Sequence, residues 1–333
     1  MKALVLGATG FLGHHLVFEL LKKKWDVRIL KRPNTPLRLL PESEIEISVG
    51  DLNDRASLET AMKACDVVFH TAGYYPIYSL GRKNQIKIAL NQTENVLLAC
   101  EKTDIKKLIF TSSVGTLAKV PDSEEPSAEE NRLRLENAGS TYHQIKILME
   151  QKIEAWAKKG RYAVIMIPGG MIGPYDVKPT TGRVVLEMMK KKLPAYVDGE
   201  MSWVDVRDVA RAEITAAEKA GPGERFVLGN WNTNTKDFLD ILAEIAQVPR
   251  PKIKIPISIA YFFAYCSEIF GKYLLHQKAP VLPLVSLDLI RYGVHLNSDK
   301  ARKQLYFNPG PISVAIKDTI DWFRENGYAS GAE

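Results

Sequence analysis

Tyr142 and Lys146 stand four residues apart in the stretch STYHQIK, residues 140–146. Residues at this spacing share one face of an α-helix, so a helical stretch places the phenol beside the ammonium. A phenol has a pKa of about 10 in water, and a neighbouring cation favours its ionised form. The pair therefore predicts a proton donor or acceptor. Such pairs are also common on helix surfaces, so the prediction depends on what the rest of the chain places beside it.

Three glycines, Gly7, Gly10 and Gly13, stand at a fixed spacing in the stretch GATGFLG. They follow the apolar run ALVL and precede leucines at helical spacing, which predicts a strand, a tight turn and a helix. Such glycines let the backbone turn sharply and approach a pyrophosphate, and the helix N-terminus attracts the phosphate charge. We therefore predict a dinucleotide site formed by Gly7, Thr9, Gly10, Phe11, Leu12 and Gly13.

The predicted second strand, DVRILKR, ends in Lys31 and Arg32. An Asp or Glu near this point usually binds the free ribose 2′-hydroxyl of NAD, whereas a guanidinium suits a phosphate group. The sequence thus favours NADP over NAD. The alternative interpretation is that Lys31 and Arg32 are solvated loop cations.

Hydroxyl side chains end the predicted fifth strand in the stretch FTSS, residues 110–113. A hydroxyl at this point can hold a substrate oxygen where charge develops. We favour Ser113 for this role, with Ser112 as its rival. After a glycine turn and beside these hydroxyls, the Tyr142–Lys146 pair becomes a catalytic prediction. We expect Lys146 and the positive ring of an oxidised nicotinamide to lower the pKa of Tyr142.

The elements that position these residues follow from the pattern of apolar runs. Short apolar runs alternate with helical periodicity up to about residue 170, and the pattern weakens beyond it. This alternation predicts an α/β fold with a Rossmann-type doubly wound parallel sheet. We expect a cofactor-binding domain over 1–170, rejoined by 203–230, and a smaller C-terminal substrate lobe made of 171–202 and 231–333.

Three elements of this prediction are specific enough to compare with a structure. Residues 44–52 are predicted as the third strand, and residues 94–103 as a helix. Residues 203–206 are predicted as a short strand that returns to the main sheet together with the helix after it.

The motifs GATGFLG, GDLND, VFHTAG, FTSS, YHQIK and WVDVRDVA resemble those of the extended short-chain dehydrogenase/reductase family, in the same order. The stretches GPYDVKPTTGRVV, LPAYVDG and PGERFVLGN are similar to its dihydroflavonol-reductase-like branch and to hopanoid-associated sugar epimerases. The resemblance implies a catalytic trio of Ser113, Tyr142 and Lys146. It also implies that further cofactor contacts come from Asp51, Leu52, Thr71, Ala72, Gly73, Thr111 and Pro168.

The chain departs from the family pattern at three positions. Ala89 stands where epimerase-type members usually carry an asparagine of a proton relay, and Asn91 follows two residues later. Ile145 stands where the family commonly has Ser or Thr, and Ile167 stands where it often has Asn. The relay is therefore in doubt, but the trio is intact.

Other residues have two interpretations each. Tyr74, Tyr75, Met171 and Trp203 line a substrate pocket or pack the core. His14 is a packing residue or lies near the pyrophosphate, and His143 is expected on another helix face than Tyr142.

Composition limits the classes of function. The chain has 333 residues and a net charge of +6, without a basic stripe carrying interleaved aromatics, so nucleic-acid binding is not expected. Cys65, Cys100 and Cys266 are far apart, which indicates free thiols, a cytoplasmic location and no metal site.

The apolar stretch 256–275 is too short to span a membrane. It is predicted as a buried helix, with a hydrophobic lid or a peripheral membrane contact as the alternative.

The leading prediction is an NADP-dependent oxidoreductase that reduces a ketone or aldehyde, or oxidises the matching alcohol, with Tyr142 as general acid or base. One alternative is a nucleotide-sugar epimerase or dehydratase with tightly bound NAD. Another is a non-catalytic NADPH-sensing module. The partner is a small-molecule substrate, and a homodimer is possible.

Overall fold

A computed structural model describes residues 1–37, 39–76, 78–79, 81–179, 181–191, 193–274, 280 and 282–328. Its strands are β1 (Lys2–Leu6), β2 (Asp26–Lys31), β3 (Glu46–Val49), β4 (Val67–His70), β5 (Lys107–Thr111), β6 (Ala163–Pro168), β7 (Gly170–Ile172), β8 (Ala195–Tyr196), β9 (Glu200–Asp205), β10 (Arg225–Leu228), β11 (Trp231–Asn234) and β12 (Ile253–Lys254). Its helices are α1 (Phe11–Lys22), α2 (Arg55–Met62), α3 (Arg82–Lys102), α4 (Thr141–Ala157), α5 (Arg183–Met189), α6 (Val206–Lys219), α7 (Thr235–Ala246), α8 (Ile257–Ile269), α9 (Leu284–Arg291), α10 (Asp299–Leu305) and α11 (Ile312–Glu325). A π-helical turn, Phe270–Leu274, continues α8.

Seven parallel strands form the central sheet in the order β10-β6-β5-β4-β1-β2-β3. Side chains alternate between its faces, as strand geometry requires. Ala3 and Val5 pack towards α1 and α6, whereas Leu4 and Leu6 pack towards α2, α3 and α4. Helices therefore cover both faces, and the predicted Rossmann-type α/β fold is confirmed.

The strand order changes direction at β1, because β2 and β3 lie on one side of it and β4, β5 and β6 on the other. In open α/β sheets a crevice forms at such a point, beyond the carboxyl ends of the strands. The residues that follow β1, β4 and β5 accordingly meet at one edge of the sheet.

Three predicted elements differ from the structure. The third strand spans only Glu46–Val49, because the chain turns just after Gly50, where the Asp54 amide donates to Asp51 O at 2.9 Å. The helix predicted over 94–103 begins twelve residues earlier, at Arg82. Its first half escaped prediction because its buried positions are occupied by Gln85, Ala89 and Thr93 rather than large apolar side chains.

Residues 203–206 were wrongly predicted to return to the main sheet. Residues 203–205 lie in β9, which forms a separate three-stranded sheet with β7 and β11, and Val206 begins α6. The helix that follows, α6, packs against α1 on the central sheet, and β10 joins the edge of that sheet beside β6. Trp203 stacks on Phe238 with ring centroids 4.1 Å apart, and this pair belongs to a second core formed with α5, α7 and α11.

Candidate active site

The turn between β1 and α1 is compact in a way that only glycine allows. Gly7 has φ +96°, and a Cβ atom there would lie 2.7 Å from Thr71 Oγ1 and 2.8 Å from the Ala72 amide nitrogen. A Cβ atom on Gly13 would lie 2.1 Å from Gly7 O. The amide of Gly10 donates to that same oxygen at 2.9 Å, which closes the turn. The three glycines thus form a cradle that side chains would fill.

The N-terminus of α1 leaves its amide groups available to an anion. Gly10 is the N-cap residue, no side chain caps the helix, and the first turn contains no acidic residue. Unpaired amides and the helix dipole favour a phosphate group at such a position. The cradle and the uncapped helix therefore fit the pyrophosphate of a dinucleotide.

The segment after β4 connects the glycine turn with Lys146. The amides of Thr71 and Ala72 donate to Leu6 O at 3.1 and 3.0 Å, which holds the segment against the end of β1. A Cβ atom on Gly73 would lie 3.4 Å from Lys146 Nζ. The structure thus brings Thr71, Ala72 and Gly73 between the cradle and the predicted trio.

Tyr142 and Lys146 lie on successive turns of α4, close to its N-terminus. Ser140 caps this helix by accepting a hydrogen bond from the His143 amide at 3.3 Å. Burial raises the pKa of Tyr142, and a hydrogen bond with the Ser113 side chain partly opposes this rise. Ser112 instead donates its hydroxyl hydrogen to Glu150. Of the two serines, Ser113 is therefore the one that contacts Tyr142.

Lys146 is buried, and its Nζ donates to Thr111 O at 3.1 Å. Burial lowers the pKa of Lys146 to about 8, against the opposing charges of Glu150 and Glu213. The lowering of the Tyr142 pKa that we expected from Lys146 is absent from the protein alone. The Lys146 ammonium interacts with Thr111, Glu150 and Glu213 instead. Burial of the phenol therefore determines the direction in which the pKa of Tyr142 moves.

A buried polar network behind the trio was not predicted from the sequence. Glu213 accepts a hydrogen bond from Thr111 Oγ1 at 2.5 Å, and burial raises its pKa to about 8. Glu150 accepts from Thr116 Oγ1 at 2.7 Å and from Arg225 Nη2 at 2.8 Å. The spacing of Glu150, one turn after Lys146, is a signal that sequence reasoning could have used. Glu213 lies on α6, far along the chain, and carries no such signal.

His70 at the end of β4 is the other buried group near Lys146. Neither of its ring nitrogens has a hydrogen-bond partner among the residues that the structure describes. Burial, followed by the charge of Lys146, lowers the pKa of His70 to about 3. The imidazole is therefore neutral and adds no charge to the site.

The predicted ribose and adenine contacts lie on both sides of the cradle. Lys31 Nζ donates to Pro33 O and Thr35 O, at 3.2 and 3.1 Å, so its ammonium is engaged by the loop after β2. Arg32 is exposed, and its guanidinium makes no hydrogen bond or ion pair within the described part of the chain. Asp51 accepts hydrogen bonds from Asn53, and Leu52 packs beside the core formed with α2 and α3. Pro168 is buried at the end of β6.

The predicted substrate residues separate in the structure. The Tyr75 ring lies 5.3 Å from that of Tyr142, centroid to centroid, and 40% of Tyr75 is exposed. Met171 is partly buried beside the core formed with α1 and α6, and Tyr74 beside the core on the other face of the sheet. Trp203 is buried against Phe238, which corresponds to the packing interpretation.

The two histidines have packing contacts of their own. His14 stacks on Tyr175, with centroids 4.8 Å apart, and also contacts Phe18. The His143 ring lies 2.6 Å from Ser140 Oγ through Nδ1.

The two positions of the doubtful proton relay differ in their exposure to solvent. Ala89 is fully buried, whereas Asn91 is exposed on α3. Asn91 therefore does not replace the relay asparagine in this structure.

The profile of the NAD dependent epimerase/dehydratase family matches residues 3–229. Among curated relatives, "Putative dihydroflavonol 4-reductase" of Synechocystis is 31% identical over 97% of this chain and 95% of its own length. "Sterol demethylase protein B" of Methylococcus capsulatus is 27% identical over 98% of this chain and 99% of its own. The crystal structure of a nucleoside-diphosphate-sugar epimerase from Pseudomonas aeruginosa superposes with a TM-score of 0.83, at 27% identity, over 98% of this chain and 99% of that one.

The chain therefore belongs to the NAD dependent epimerase/dehydratase family of NAD(P)-dependent enzymes. The resemblance to extended short-chain dehydrogenases/reductases of the dihydroflavonol-reductase-like branch is confirmed. Within the described residues, no helix has both the length and the apolar character needed to cross a membrane.

Proposed function

We propose that the protein is an NADP-dependent reductase that converts a ketone or aldehyde to an alcohol, with Tyr142 as the general acid. The observation that carries this proposal is the position of Tyr142. Its phenol is hydrogen-bonded with the Ser113 side chain and lies on α4 one turn before Lys146, whose Nζ lies beside Gly73 after β4. The raised pKa leaves the phenol protonated, as an ordinary tyrosine is at neutral pH. A protonated phenol is the form that donates a proton to a carbonyl oxygen.

When bound, NADPH supplies the hydride that the carbonyl carbon accepts. The protein's own residues handle the proton. The Ser113 hydroxyl holds the carbonyl oxygen, and Tyr142 Oη donates its proton to that oxygen as the alcohol forms. The phenolate left behind then regains a proton from solvent. Lys146 Nζ is held by Thr111 O at 3.1 Å and lies beside Gly73, on the cofactor side of the site. One hydride and one proton are consumed for each carbonyl reduced.

The proposal assigns the cofactor site to the cradle residues Gly7–Gly13, to Thr71, Ala72, Gly73 and Thr111, and to Asp51, Leu52 and Pro168 near its two ends. Arg32 is the residue that selects NADP, because it is exposed at the end of β2 and a guanidinium binds a phosphate through two hydrogen bonds. Lys31 is held by the loop carbonyls, so it contributes charge rather than direct contact.

The substrate is an apolar carbonyl compound in this proposal. The names of the Synechocystis and Methylococcus relatives refer to a flavonoid-type and a sterol substrate, and the exposed Tyr75 ring lies against Tyr142. The substrate lobe is assigned to 171–202 and 231–328, with 1–170 and 203–230 as the cofactor domain. A cytoplasmic location is proposed from the three unpaired cysteines. A homodimer stays a prediction.

A second candidate is a nucleotide-sugar epimerase with tightly bound NAD. The similarity to the Pseudomonas epimerase favours it, since that structure covers nearly the whole chain. A non-catalytic NADPH sensor is the third candidate.

Cofactor titration distinguishes these functions. Purified protein is first denatured and any released nucleotide identified, and then titrated with NADPH and NADH. We expect NADPH to bind more tightly, and Arg32→Ala to weaken NADPH roughly tenfold while leaving NADH unchanged. Oxidation of NADPH by a panel of apolar ketones and aldehydes completes the test. Stoichiometric NAD in the purified protein supports the epimerase, and NADPH binding without any turnover supports the sensor.

A further inference from the structure

The outward side of α8 and of the π-helical turn after it is apolar. Its exposed side chains are Ile259, Phe262, Phe263, Tyr265, Phe270 and Tyr273, and we call this set the aromatic face. Phe262 is 65% exposed and Phe263 60% exposed. A helix on the surface of a globular protein normally turns polar residues to water, so an apolar outward side indicates a binding surface.

The aromatic face is turned away from the active site rather than over it. The inward side of α8 consists of Ala260, Ala264 and Glu268, all buried at helical spacing. Glu268 accepts hydrogen bonds from the Ser79 amide at 2.8 Å and from the Leu284 amide at 3.1 Å. At about 100° per residue, Phe262 and Phe263 lie roughly opposite Glu268 on the helix. The aromatic face is therefore not a lid that closes on the substrate.

The inward side nevertheless connects α8 with the substrate end of the cleft. Ser79 follows Tyr75 by four residues, and Tyr75 lies against Tyr142. The Ser79 hydroxyl donates to Glu268 as well, at 3.2 Å. A partner that binds the aromatic face therefore lies about one helix diameter from the loop that carries Tyr75 and Ser79 and borders the predicted substrate site.

Positive charge surrounds the aromatic face. From Arg250 to Tyr273 the chain carries four cations, Arg250, Lys252, Lys254 and Lys272, and a single carboxylate, the buried Glu268. Two of these cations already pair with carboxylates outside the segment: Lys254 Nζ lies 2.9 Å from Asp198, and Arg250 lies 3.6 Å from Asp240. Ile253 is exposed between two of these cations. Aromatic side chains flanked by Lys and Arg are the composition that binds the headgroup region of an anionic bilayer.

The area of the aromatic face also indicates which kind of partner it can bind. At about 200 Å² per aromatic side chain, its exposed parts amount to roughly 600 Å². A stable protein–protein interface buries about 800 Å² on each partner, so the aromatic face alone is smaller than a second copy of this chain would need.

We propose that the aromatic face of α8 docks this protein on the surface of an anionic lipid bilayer, with the substrate end of its cleft close to the lipid. The aromatic rings enter the headgroup layer, and flanking cations such as Lys252 bind the lipid phosphates.

Sedimentation of the full-length protein with lipid vesicles tests this proposal. The vesicles consist either of phosphatidylcholine alone or of phosphatidylcholine mixed with phosphatidylglycerol. We expect binding to the mixed vesicles and weaker binding to the neutral ones. The double variant Phe262→Ser/Phe263→Ser should weaken binding roughly tenfold or more. Lys252→Gln, which removes a cation without an ion pair among the described residues, should reduce the preference for anionic lipid.

Tyr306→Ser is the matched control, because Tyr306 is an equally exposed aromatic residue outside this segment. It should bind vesicles as the unchanged protein does. Circular dichroism and cofactor binding show that each variant is folded. Failure of the unchanged protein to bind either kind of vesicle overturns the proposal, as does equal binding by the Phe262/Phe263 variant. A change from dimer to monomer in that variant, without vesicle binding, assigns the aromatic face to a protein interface instead. Because the readout is binding, none of these outcomes depends on the proposed reductase activity.

Discussion

The substitution Glu213→Gln tests whether a carboxyl group buried behind Lys146 carries a proton in the folded protein. Glu213 is fully buried on α6, and burial raises its pKa from the usual 4.5 to about 8. The hydrogen bond from Thr111 and the charge of Lys146 oppose this rise. Between these two pH values, the folded protein therefore binds a proton that the unfolded chain has released.

A proton bound only by the folded state makes the free energy of unfolding fall as the pH rises. Each pKa unit corresponds to about 1.4 kcal/mol, so the raised pKa of Glu213 costs the folded protein about 1 kcal/mol at pH 5 and roughly 4 kcal/mol at pH 8. A glutamine does not titrate. Relative to the unchanged protein, Glu213→Gln should thus gain roughly 3 kcal/mol between about pH 5 and about pH 8.

In addition to this pH-dependent difference, we expect a difference in the free energy of unfolding that is the same at every pH. Glu213 Oε2 has no hydrogen-bond partner among the residues that the structure describes. The amide nitrogen of a glutamine would take its place, and a buried donor without a partner costs about 1–3 kcal/mol at every pH. The informative quantity is therefore the pH dependence of the difference, not its value at one pH.

Urea unfolding of both proteins at four pH values across this range measures the difference. Four buried histidines, His14, His15, His70 and His143, have lowered pKa values, so they change stability in the opposite sense below neutral pH. They are present in both proteins and cancel in the difference. Glu218→Gln, a partly exposed carboxylate on the same helix, is the matched control. Parallel stability curves for Glu213→Gln and the unchanged protein would refute the reasoning.

Two further substitutions address the cleft. Tyr142→Phe keeps the ring but removes the proton donor, so turnover of an accepted carbonyl should fall by roughly 10²–10⁴-fold while the affinity for NADPH, measured by fluorescence titration, stays the same. Unchanged turnover would remove Tyr142 from the catalytic role. Gly13→Ala places a Cβ atom 2.1 Å from Gly7 O and 2.6 Å from Gly7 C, both backbone atoms, so it should lower stability by about 1–3 kcal/mol and weaken NADPH binding. Gly310→Ala, where nothing lies within 4 Å of the added Cβ atom, is the control for Gly13→Ala and should change neither quantity.

The sequence predicted what depends on local spacing. The glycine turn, the parallel sheet and the helix carrying Tyr142 and Lys146 follow from periodicity within short stretches, and the structure contains all of them. Predictions that needed long-range pairing were weaker. Residues 203–205 lie in a strand as expected, but the choice between two sheets depends on β7 and β11, which no local pattern specifies.

The sequence also did not predict which charged groups surround Ser113, Tyr142 and Lys146. Lys146 was expected to act on Tyr142, yet its surroundings include Glu213 and Thr111, which come from separate elements of the fold. A pKa depends on burial and on neighbours in space, and neither is visible from a YxxxK spacing. This is why the position of the phenol was predictable and the sign of its pKa change was not.

The two buried acids near Lys146 should respond in opposite ways to the same substitution. Glu150 is paired with Arg225, which is itself buried and has Glu154 as its only other carboxylate within the described residues, 3.6 Å away. Glu150→Gln leaves this guanidinium largely uncompensated, so it should lower stability by about 3 kcal/mol at neutral pH. Glu213 carries a proton below about pH 8 and makes no ion pair with an arginine among the described residues. Glu213→Gln therefore leaves only Lys146 behind, whose own pKa is lowered to about 8. If urea unfolding shows Glu150→Gln to be as stable as Glu213→Gln at pH 8, the stability of the buried Arg225 does not depend on Glu150.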